Sequence, residues 1–179
     1  MKKDIKPESY HKTVYDINYM KLVENGIRYA IFDVDCTLLP FDEINLTEEN
    51  ISLFEHIKDI GIKPALCSSG IKKRVKPVGE ALGVNYMYSA KKPYVSFKEI
   101  QSLFNESFAP RNSIFIGDSL YLDMYLASRL HMNKIMVDMI IDGFNFKVYP
   151  NEIIQAVMFK KIRKYGVEYK KYYKGDIER

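Results

Sequence analysis

The sequence of 179 residues has no tryptophan and only two cysteines, Cys36 and Cys67. Two cysteines do not provide the disulfide framework of a small secreted protein. No apolar run approaches the roughly 18 residues of a membrane-spanning helix. The first six residues are mostly charged and lead into no apolar stretch, which argues against a signal peptide. These absences predict a soluble, cytoplasmic protein.

The sequence alternates short apolar runs with amphipathic stretches of helical length. The apolar runs predict strands near residues 28–35, 62–68, 84–89, 113–118 and 134–137. Strands that alternate with helices are typical of an α/β fold, a Rossmann-like parallel sheet with helices on both faces. We expect one domain over residues 1–165, followed by a basic tail rich in tyrosine and lysine over residues 166–179.

Polar side chains occur where several predicted strands end. In an open parallel sheet, ligands bind beyond the carboxyl ends of the strands. The polar residues found there are Asp33 with Asp35, Ser68 with Ser69, Lys91 with Lys92, and Asp118 with Asp123. The alternation of a strand puts Asp33 and Asp35 on the same side, where two carboxylates repel unless a cation or a proton intervenes. A hard divalent cation, usually Mg²⁺, suits such oxygen ligands.

Four of these segments, in this order, resemble the motifs of the haloacid dehalogenase superfamily of aspartate-nucleophile phosphatases. They are the run from Phe32 to Leu38, Ser68 at a strand end, the pair Lys92–Pro93, and Gly117-Asp118-Ser119 with Asp123. Further runs resemble the YqeG-type branch of subfamily IIIA, which is similar to the mitochondrial phosphatidylglycerophosphatases. They are Gly26-Ile27, Lys73-Arg74-Val75, Lys91-Lys92-Pro93 and the run from Gly117-Asp118 through Asp123 to Ser128-Arg129-Leu130. The resemblance covers roughly residues 10–165.

The resemblance implies a core of this superfamily and a two-step phosphatase reaction. Asp33 would attack phosphorus and form an aspartyl-phosphate. Asp35 would protonate the departing oxygen and then take a proton from the water that hydrolyses the intermediate.

The resemblance also implies a set of ligands. Mg²⁺ would be held by the carboxylate of Asp33, the backbone carbonyl of Asp35 and Asp118, with Asp123 just outside these direct ligands. Ser68, Ser69 and Lys92 would bind the phosphoryl group. Lys91 precedes Lys92 directly, and only the position of Pro93 favours Lys92.

Two positions depart from the pattern of the family. Cys36 stands where relatives usually carry Asn or Gly, and Ser68-Ser69-Gly70 stands where they usually carry Ser-Asn-Asn. Neither departure removes a catalytic group. Both therefore bear on substrate specificity rather than on the class of reaction.

The connections after the first two motifs are too short to contain the cap domain found in many relatives. About eight residues link Leu39 to Thr47, and about 20 residues from Gly70 to Ala90 cover one helix and one strand. We therefore expect an open site that accepts a bulky phosphorylated substrate, unless a partner subunit of a homo-oligomer covers it.

The basic charge is concentrated at the C-terminal end. Residues 151–179 contain eight Lys or Arg and four Asp or Glu, whereas the rest of the chain has no net charge. This end could lie peripherally on an anionic membrane or bind nucleic-acid phosphates. It could equally be a packed last helix with a solvated end.

Three functions follow from these observations. The favoured one is a phosphatase of phosphatidylglycerophosphate or another bulky phosphomonoester. The second is a phosphatase of nucleic-acid ends, phosphoprotein or a soluble metabolite. The third is a non-catalytic phosphate-binding scaffold, against which the presence of Asp35 argues.

Overall fold

The computed structural model describes residues 5–104, 108–141 and 149–175. The strands are β1 (Ser9–His11), β2 (Tyr29–Phe32), β3 (Lys63–Cys67), β4 (Asn85–Met87), β5 (Ser113–Gly117) and β6 (Asn133–Val137). The helices are α1 (Tyr19–Glu24), α2 (Glu48–Asp59), α3 (Lys72–Ala81), α4 (Phe97–Gln101), α5 (Tyr125–Arg129) and α6 (Tyr149–Ile162). A π-helical turn, Leu120–Met124, leads directly into α5.

The strands form a single parallel sheet in the order β1-β6-β5-β2-β3-β4. The predicted α/β class and the five predicted strands are therefore confirmed. The sixth strand, β1, was not predicted from the sequence. Phe32 is in register with both Leu66 and Ile116, so the carboxyl ends of β2, β3 and β5 lie side by side.

Helices cover both faces of the sheet. Alternate residues of β2 belong to separate apolar clusters, as the two-residue period of a strand requires. Phe32 packs in the cluster that contains Phe54 of α2, on the face that also carries α1 and α3. Ile31 packs in the opposite cluster with Leu126, on the face of α4 and α5.

The connections near the site carry no inserted domain. In residues 29–104, all of which the structure describes, β2 is joined to α2 and β3 to α3 by loops alone. The expectation of a site without a cap domain is confirmed. At the start of α2, Thr47 and Asn50 form a reciprocal capping box, and the amide of Asn50 also donates to the Leu38 carbonyl at 3.3 Å. This contact ties the loop after β2 to the helix.

The C-terminal end lies against the first strand. Tyr173 pairs with Tyr10 through two backbone hydrogen bonds of 2.9 and 3.0 Å, and Val167 is fully buried. Residues 166–175 of the predicted tail are thus packed on the domain, with Lys170, Lys171 and Lys174 exposed. Residues 176–179 lie outside the described residues. Among the residues that the structure describes, no helix is long and apolar enough to cross a bilayer.

Candidate active site

The predicted polar residues gather at the carboxyl edge of the sheet. Asp33 directly follows β2, Ser68 directly follows β3, and Asp118 directly follows β5. Since these three strands are adjacent and in register, three remote segments of the chain meet at one place. Asp123 reaches the same place from the π-helical turn after β5.

A buried lysine bridges two of the carboxylates. The Nζ atom of Lys92 lies 2.8 Å from Oδ2 of Asp33 and 2.7 Å from Oδ1 of Asp123, and its side chain is 1% exposed. Burial would lower the pKa of Lys92, but the carboxylates of Asp123 and Asp33 outweigh burial and raise it. Lys92 is therefore a permanent cation. Lys91 is exposed, which separates the roles of the two adjacent lysines.

Burial also acts on Asp33. It raises the pKa of Asp33 from 3.8 to about 6, although the Lys92 ammonium limits the rise. Asp33 is therefore buried in a site where its negative charge is costly without further cations.

Asp118 is held from the opposite side of the site. The hydroxyl of Thr37 donates a 2.8 Å hydrogen bond to Oδ1 of Asp118. Burial, together with the charges of Asp123 and Asp33, raises the pKa of Asp118 well above its ordinary value. Gly117 makes room here, because a Cβ atom at this position would approach the Asp123 carboxylate to 2.4 Å.

The three buried carboxylates fit a divalent cation. Asp33, Asp118 and Asp123 each offer one oxygen within 4.8 Å of the others. With all three ionised and Lys92 charged, the cluster carries a net charge of about minus two. Hard cations with oxygen ligands balance such a charge. The side chain of Asp35 is not in this group, and its contribution through the backbone carbonyl stays a prediction.

Asp35 has a cation of its own. Its carboxylate pairs with the guanidinium of Arg74 from α3, and the side chain of Asp35 is 19% exposed. Asp33 and Asp35 both lie just beyond the end of β2. The two carboxylates nevertheless face different basic residues, Lys92 and Arg74, rather than one shared cation. This arrangement separates a buried acid from a more accessible one.

Ser68 and Ser69 differ in burial and in their hydrogen-bond partners. Ser68 is buried, accepts a hydrogen bond from the Gly70 amide at 2.9 Å, and lies 3.4 Å from Oδ2 of Asp35. Ser69 is exposed and donates a 3.0 Å hydrogen bond to the Ala90 carbonyl. That bond ties the loop after β3 to the segment that carries Lys92. The contacts of both serines with phosphate stay predictions.

The backbone explains Gly70, one of the two departures from the family pattern, but not Cys36. Cys36 has a φ of 63°, in the left-handed region that Gly and Asn adopt most easily. Its thiol is buried. A Cβ atom at Gly70 would lie 2.9 Å from the Asp35 carboxylate. Gly70 therefore permits the close approach of the loop after β3 to Asp35.

Sequence reasoning gave no role to three residues of this site: Thr37, Arg74 and Gln155. Gln155 of α6 accepts from the Leu120 amide at 3.0 Å and donates to the Asp118 carbonyl. A signal existed for Arg74, since it lies four residues before the inward Val78 and so shares its helix face. No local signal identified Gln155, because its partners are more than 30 residues away.

The chain is similar to one named phosphatase over nearly its whole length. It is 28% identical over 166 residues to the probable phosphatase YqeG of Bacillus subtilis strain 168, covering 93% of this chain and 96% of that protein. No protein-family model matches the chain.

Solved structures align with this chain at low identity. An uncharacterized protein from Listeria monocytogenes serotype 4b is 15% identical with a TM-score of 0.49, covering 75% of this chain and 99% of that one. A probable YrbI family phosphatase from Pseudomonas syringae pv. phaseolica 1448a is 12% identical with a TM-score of 0.47, covering 84% of this chain and 98% of that one. The α/β fold itself follows from the sheet order of this chain.

Proposed function

We propose that the protein is a Mg²⁺-dependent phosphomonoester hydrolase that works through an aspartyl-phosphate on Asp33. The observation that carries this proposal is the separation of Asp33 and Asp35. Asp33 is buried against Lys92, whereas Asp35 is partly exposed beside Ser68 and Arg74. The similarity to a named phosphatase supports the same reaction.

Asp33 is suited to be the nucleophile. An oxygen of its carboxylate attacks phosphorus, the P–O bond to the leaving alcohol breaks, and an acyl phosphate forms. Lys92 stays charged next to Asp33 and stabilises the negative charge on the phosphoryl oxygens. Ser68 would donate its hydroxyl to one of these oxygens.

Asp35 is suited to move the proton. In the first step it donates a proton to the departing oxygen, and the alcohol leaves neutral. In the second step it takes a proton from the water that attacks phosphorus, which releases inorganic phosphate and restores Asp33. Its partial exposure gives water access to this side of the site.

Asp33, Asp118 and the backbone carbonyl of Asp35 would hold the metal ion, with Asp123 fixed beside it by Lys92. Mg²⁺ bound there would supply positive charge next to the phosphoryl oxygens. Thr37, which donates to the Asp118 carboxylate, and Gln155, which donates to the Asp118 carbonyl, would position Asp118 to bind the metal ion.

The substrate that we favour is phosphatidylglycerophosphate or another bulky phosphomonoester. Because no domain is inserted over residues 29–104, we expect the site to accept a head group carried on a large body. The resemblance to the phosphatidylglycerophosphatases favours a lipid. Nucleic-acid ends, phosphoprotein and soluble metabolites remain the alternative substrates.

The outer face of α6 supports peripheral contact with an anionic membrane. Ile153, Ile154 and Val157 are each about half exposed and line an apolar groove of about 480 Å³ with Tyr121 and Lys161. Exposed apolar side chains beside lysines suit the interface of an anionic bilayer. Lys160 and Lys161 near the end of this helix and Lys164 just after it are all exposed.

The test is release of phosphate from a generic aryl phosphate. We expect turnover that requires Mg²⁺ and is abolished in Asp33→Asn. Asp59→Asn, at an exposed position at the end of α2, is the matched control and should retain full activity. Failure of the wild-type protein to hydrolyse any phosphomonoester would leave the scaffold hypothesis instead.

The substrate class is then decided by a panel. Phosphatidylglycerophosphate in vesicles, a 3′-phosphorylated oligonucleotide and a phosphopeptide are compared by kcat/KM. We expect the highest value for the lipid. A higher value for the oligonucleotide or the phosphopeptide would select the alternative.

A further inference from the structure

Asp138 is a carboxylate at the active-site edge of the sheet that the proposed reaction does not use. It directly follows β6, the strand beside β5, just as Asp118 directly follows β5. Its side chain accepts hydrogen bonds from two tyrosines: the hydroxyl of Tyr10 in β1 donates to Oδ1, and the hydroxyl of Tyr172 donates to Oδ2 at 2.5 Å. Asp138 therefore joins the first strand and the C-terminal segment to the end of β6.

The two tyrosines form a firm support for Asp138. Tyr10 is fully buried, and its ring packs edge-on against that of Tyr172, with 5.3 Å between the ring centroids. Burial and the hydrogen bond to Asp138 raise the pKa of Tyr10, and the hydrogen bond raises the pKa of Tyr172 to about 12. Both hydroxyls therefore keep their protons at neutral pH and donate them to the carboxylate. Hydrogen bonds to an ionised acceptor are among the strong ones.

The segment that begins at Asp138 reaches the loop of the catalytic aspartates. The backbone amide of Ile140 donates a 2.7 Å hydrogen bond to the carbonyl of Cys36. The amide of Cys36 donates to the Leu39 carbonyl, also at 2.7 Å. Cys36 is thus held on both sides, by its own loop through the amide and by residues 138–141 through the carbonyl.

The backbone conformation of Cys36 makes this support necessary. Its φ of 63° lies in the left-handed region, which costs free energy for a residue with a Cβ atom. Such conformations persist where the surrounding contacts hold them. The amide of Cys36 and the carbonyl of Asp35 belong to one peptide plane. The contacts of Cys36 therefore set the direction of the Asp35 carbonyl, the group that would bind the metal ion in the proposed function.

We propose that Asp138 is a positioning residue that orients the Asp35 carbonyl through Cys36. Tyr10 and Tyr172 fix Asp138 for this purpose, so the C-terminal segment supports the active site in addition to packing on the domain. This inference rests on the proposed function and deepens it. It adds to the reaction a group that lies outside the cluster of buried acids.

The effect should fall on metal binding and on the rate rather than on substrate binding. Ser68 and Lys92, which would bind the phosphoryl group, have no contact with Asp138 among their hydrogen bonds and ion pairs to described residues. Loss of the support should therefore weaken Mg²⁺ binding and lower kcat for an aryl phosphate, with KM little changed.

Two adjacent tyrosines provide a matched test. Tyr172→Phe removes a hydroxyl that binds Asp138, whereas Tyr173→Phe removes the hydroxyl that donates to the Pro7 carbonyl at 2.7 Å. Calorimetry without substrate measures the Kd of Mg²⁺ well below the Tm of each variant. We expect Kd to rise by about 3- to 10-fold in Tyr172→Phe, and kcat to fall, because one hydrogen bond to a charged group is lost. Tyr173→Phe should leave both unchanged.

A double-mutant cycle tests the route through Cys36. Asp138→Ala removes both hydrogen bonds and should weaken Mg²⁺ binding by about 10- to 100-fold, as loss of a group that orients a metal ligand does. Asn adopts the left-handed region more easily than Cys. In a Cys36→Asn background, Asp138→Ala should therefore cost a smaller factor. Tyr172→Phe keeps the test open if Asp138→Ala does not fold.

The outcomes separate the hypotheses. If Tyr172→Phe and Tyr173→Phe change Kd and kcat equally, the C-terminal segment acts only through stability and the proposal is wrong. An equal cost of Asp138→Ala in both backgrounds would also overturn it, because the effect would not pass through Cys36. If the wild-type protein hydrolyses no phosphomonoester, the proposed function fails and this inference fails with it. An active wild type with unchanged Kd and kcat in Tyr172→Phe would overturn this inference alone.

Discussion

The hydroxyl of Thr37 donates a hydrogen bond to the Asp118 carboxylate across 81 residues of sequence. Thr37 belongs to the loop after β2, whereas Asp118 follows β5. The bond therefore fixes the carboxylate of Asp118 relative to the loop that begins with Asp33, independently of any metal ion. Thr37 is 1% exposed, so this hydrogen bond is shielded from bulk solvent.

Replacing Thr37 by Val should weaken metal binding more than folding. The loss of one hydrogen bond to a charged group costs roughly 1.5–3 kcal/mol, and Asp118 would become free to turn away. We expect the Mg²⁺ concentration for half-maximal activity to rise by about tenfold or more. Thr37→Ser, which keeps the hydroxyl, is the control. Unchanged Mg²⁺ dependence in Thr37→Val would show that Thr37 does not hold Asp118 for metal binding.

Replacing Lys92 by Met should destabilise the metal-free protein strongly. It leaves Asp33 and Asp123 buried without their cation, and breaking a buried ion pair in this way costs about 3–5 kcal/mol. Urea unfolding in the presence of a chelator measures the loss. Lys91→Met, at the exposed neighbouring position, should change stability little. A similar loss of stability in both variants would contradict the assignment of Lys92 as the buried cation that pairs with Asp33 and Asp123.

The stability of the chelated protein should depend on pH through Asp33. Burial raises the pKa of Asp33 in the folded state to about 6, above the ordinary value that the unfolded chain has. The folded state thus binds the proton more tightly, and this stabilisation is complete below about pH 4 and lost as pH rises through about 6. We expect Tm of the wild-type protein to fall relative to Asp33→Asn over this range.

Mg²⁺ should remove the pH-dependent difference in Tm between the wild-type protein and Asp33→Asn. A bound divalent cation compensates the ionised carboxylates, so its stabilising effect should be larger above pH 6 than below. Thermal melts with Mg²⁺ and with a chelator, in wild type and Asp33→Asn, measure both effects. If Mg²⁺ raised Tm equally across this pH range, the acidic cluster would not be its site.

Polar substitutions on the outer face of α6 should reduce membrane binding. The double variant Ile154→Gln with Val157→Gln removes two apolar contacts, each contributing roughly 1.5–3 kcal/mol when fully buried. We expect at least about tenfold weaker partitioning onto phosphatidylglycerol vesicles. Ile51→Gln, on the exposed side of α2, is the control. Equal partitioning of both variants would exclude this face as the membrane contact.

Much of the site could be predicted from polar residues that follow apolar runs, because such a pattern can be recognised in the local sequence. Asp33, Ser68 and Asp118 each follow an apolar run that is long enough to be recognised as a buried strand. Once the strands are parallel, their ends must meet. Lys92 and Asp123 were also predicted near these strand ends, and the resemblance gave them their roles; in the structure they are in direct contact at 2.7 Å.

The features that sequence could not predict depend on partners that are remote in the chain. β1 is only three residues long, and it is a strand because it pairs with β6. In α6, apolar residues at helical spacing do not reveal which of them face inward. Gln155, Phe159 and Ile162 are buried, whereas Ile153, Ile154 and Val157 are exposed. Apolar periodicity marks a helix, but only packing decides which face is covered.

The pairing of Tyr10 with Tyr173 has a consequence for the order in which the protein forms. β1 is the first strand to leave the ribosome, yet its two neighbours in the described structure, β6 and Tyr173, are synthesised after residue 132. The strand must therefore wait, unpaired, until residues 133–137 have been made, and its second neighbour follows at residue 173. The central strands β2 and β3, with β5 following, can associate earlier. Completion of the sheet at β1 is thus a late event that depends on segments more than 120 residues further along the chain.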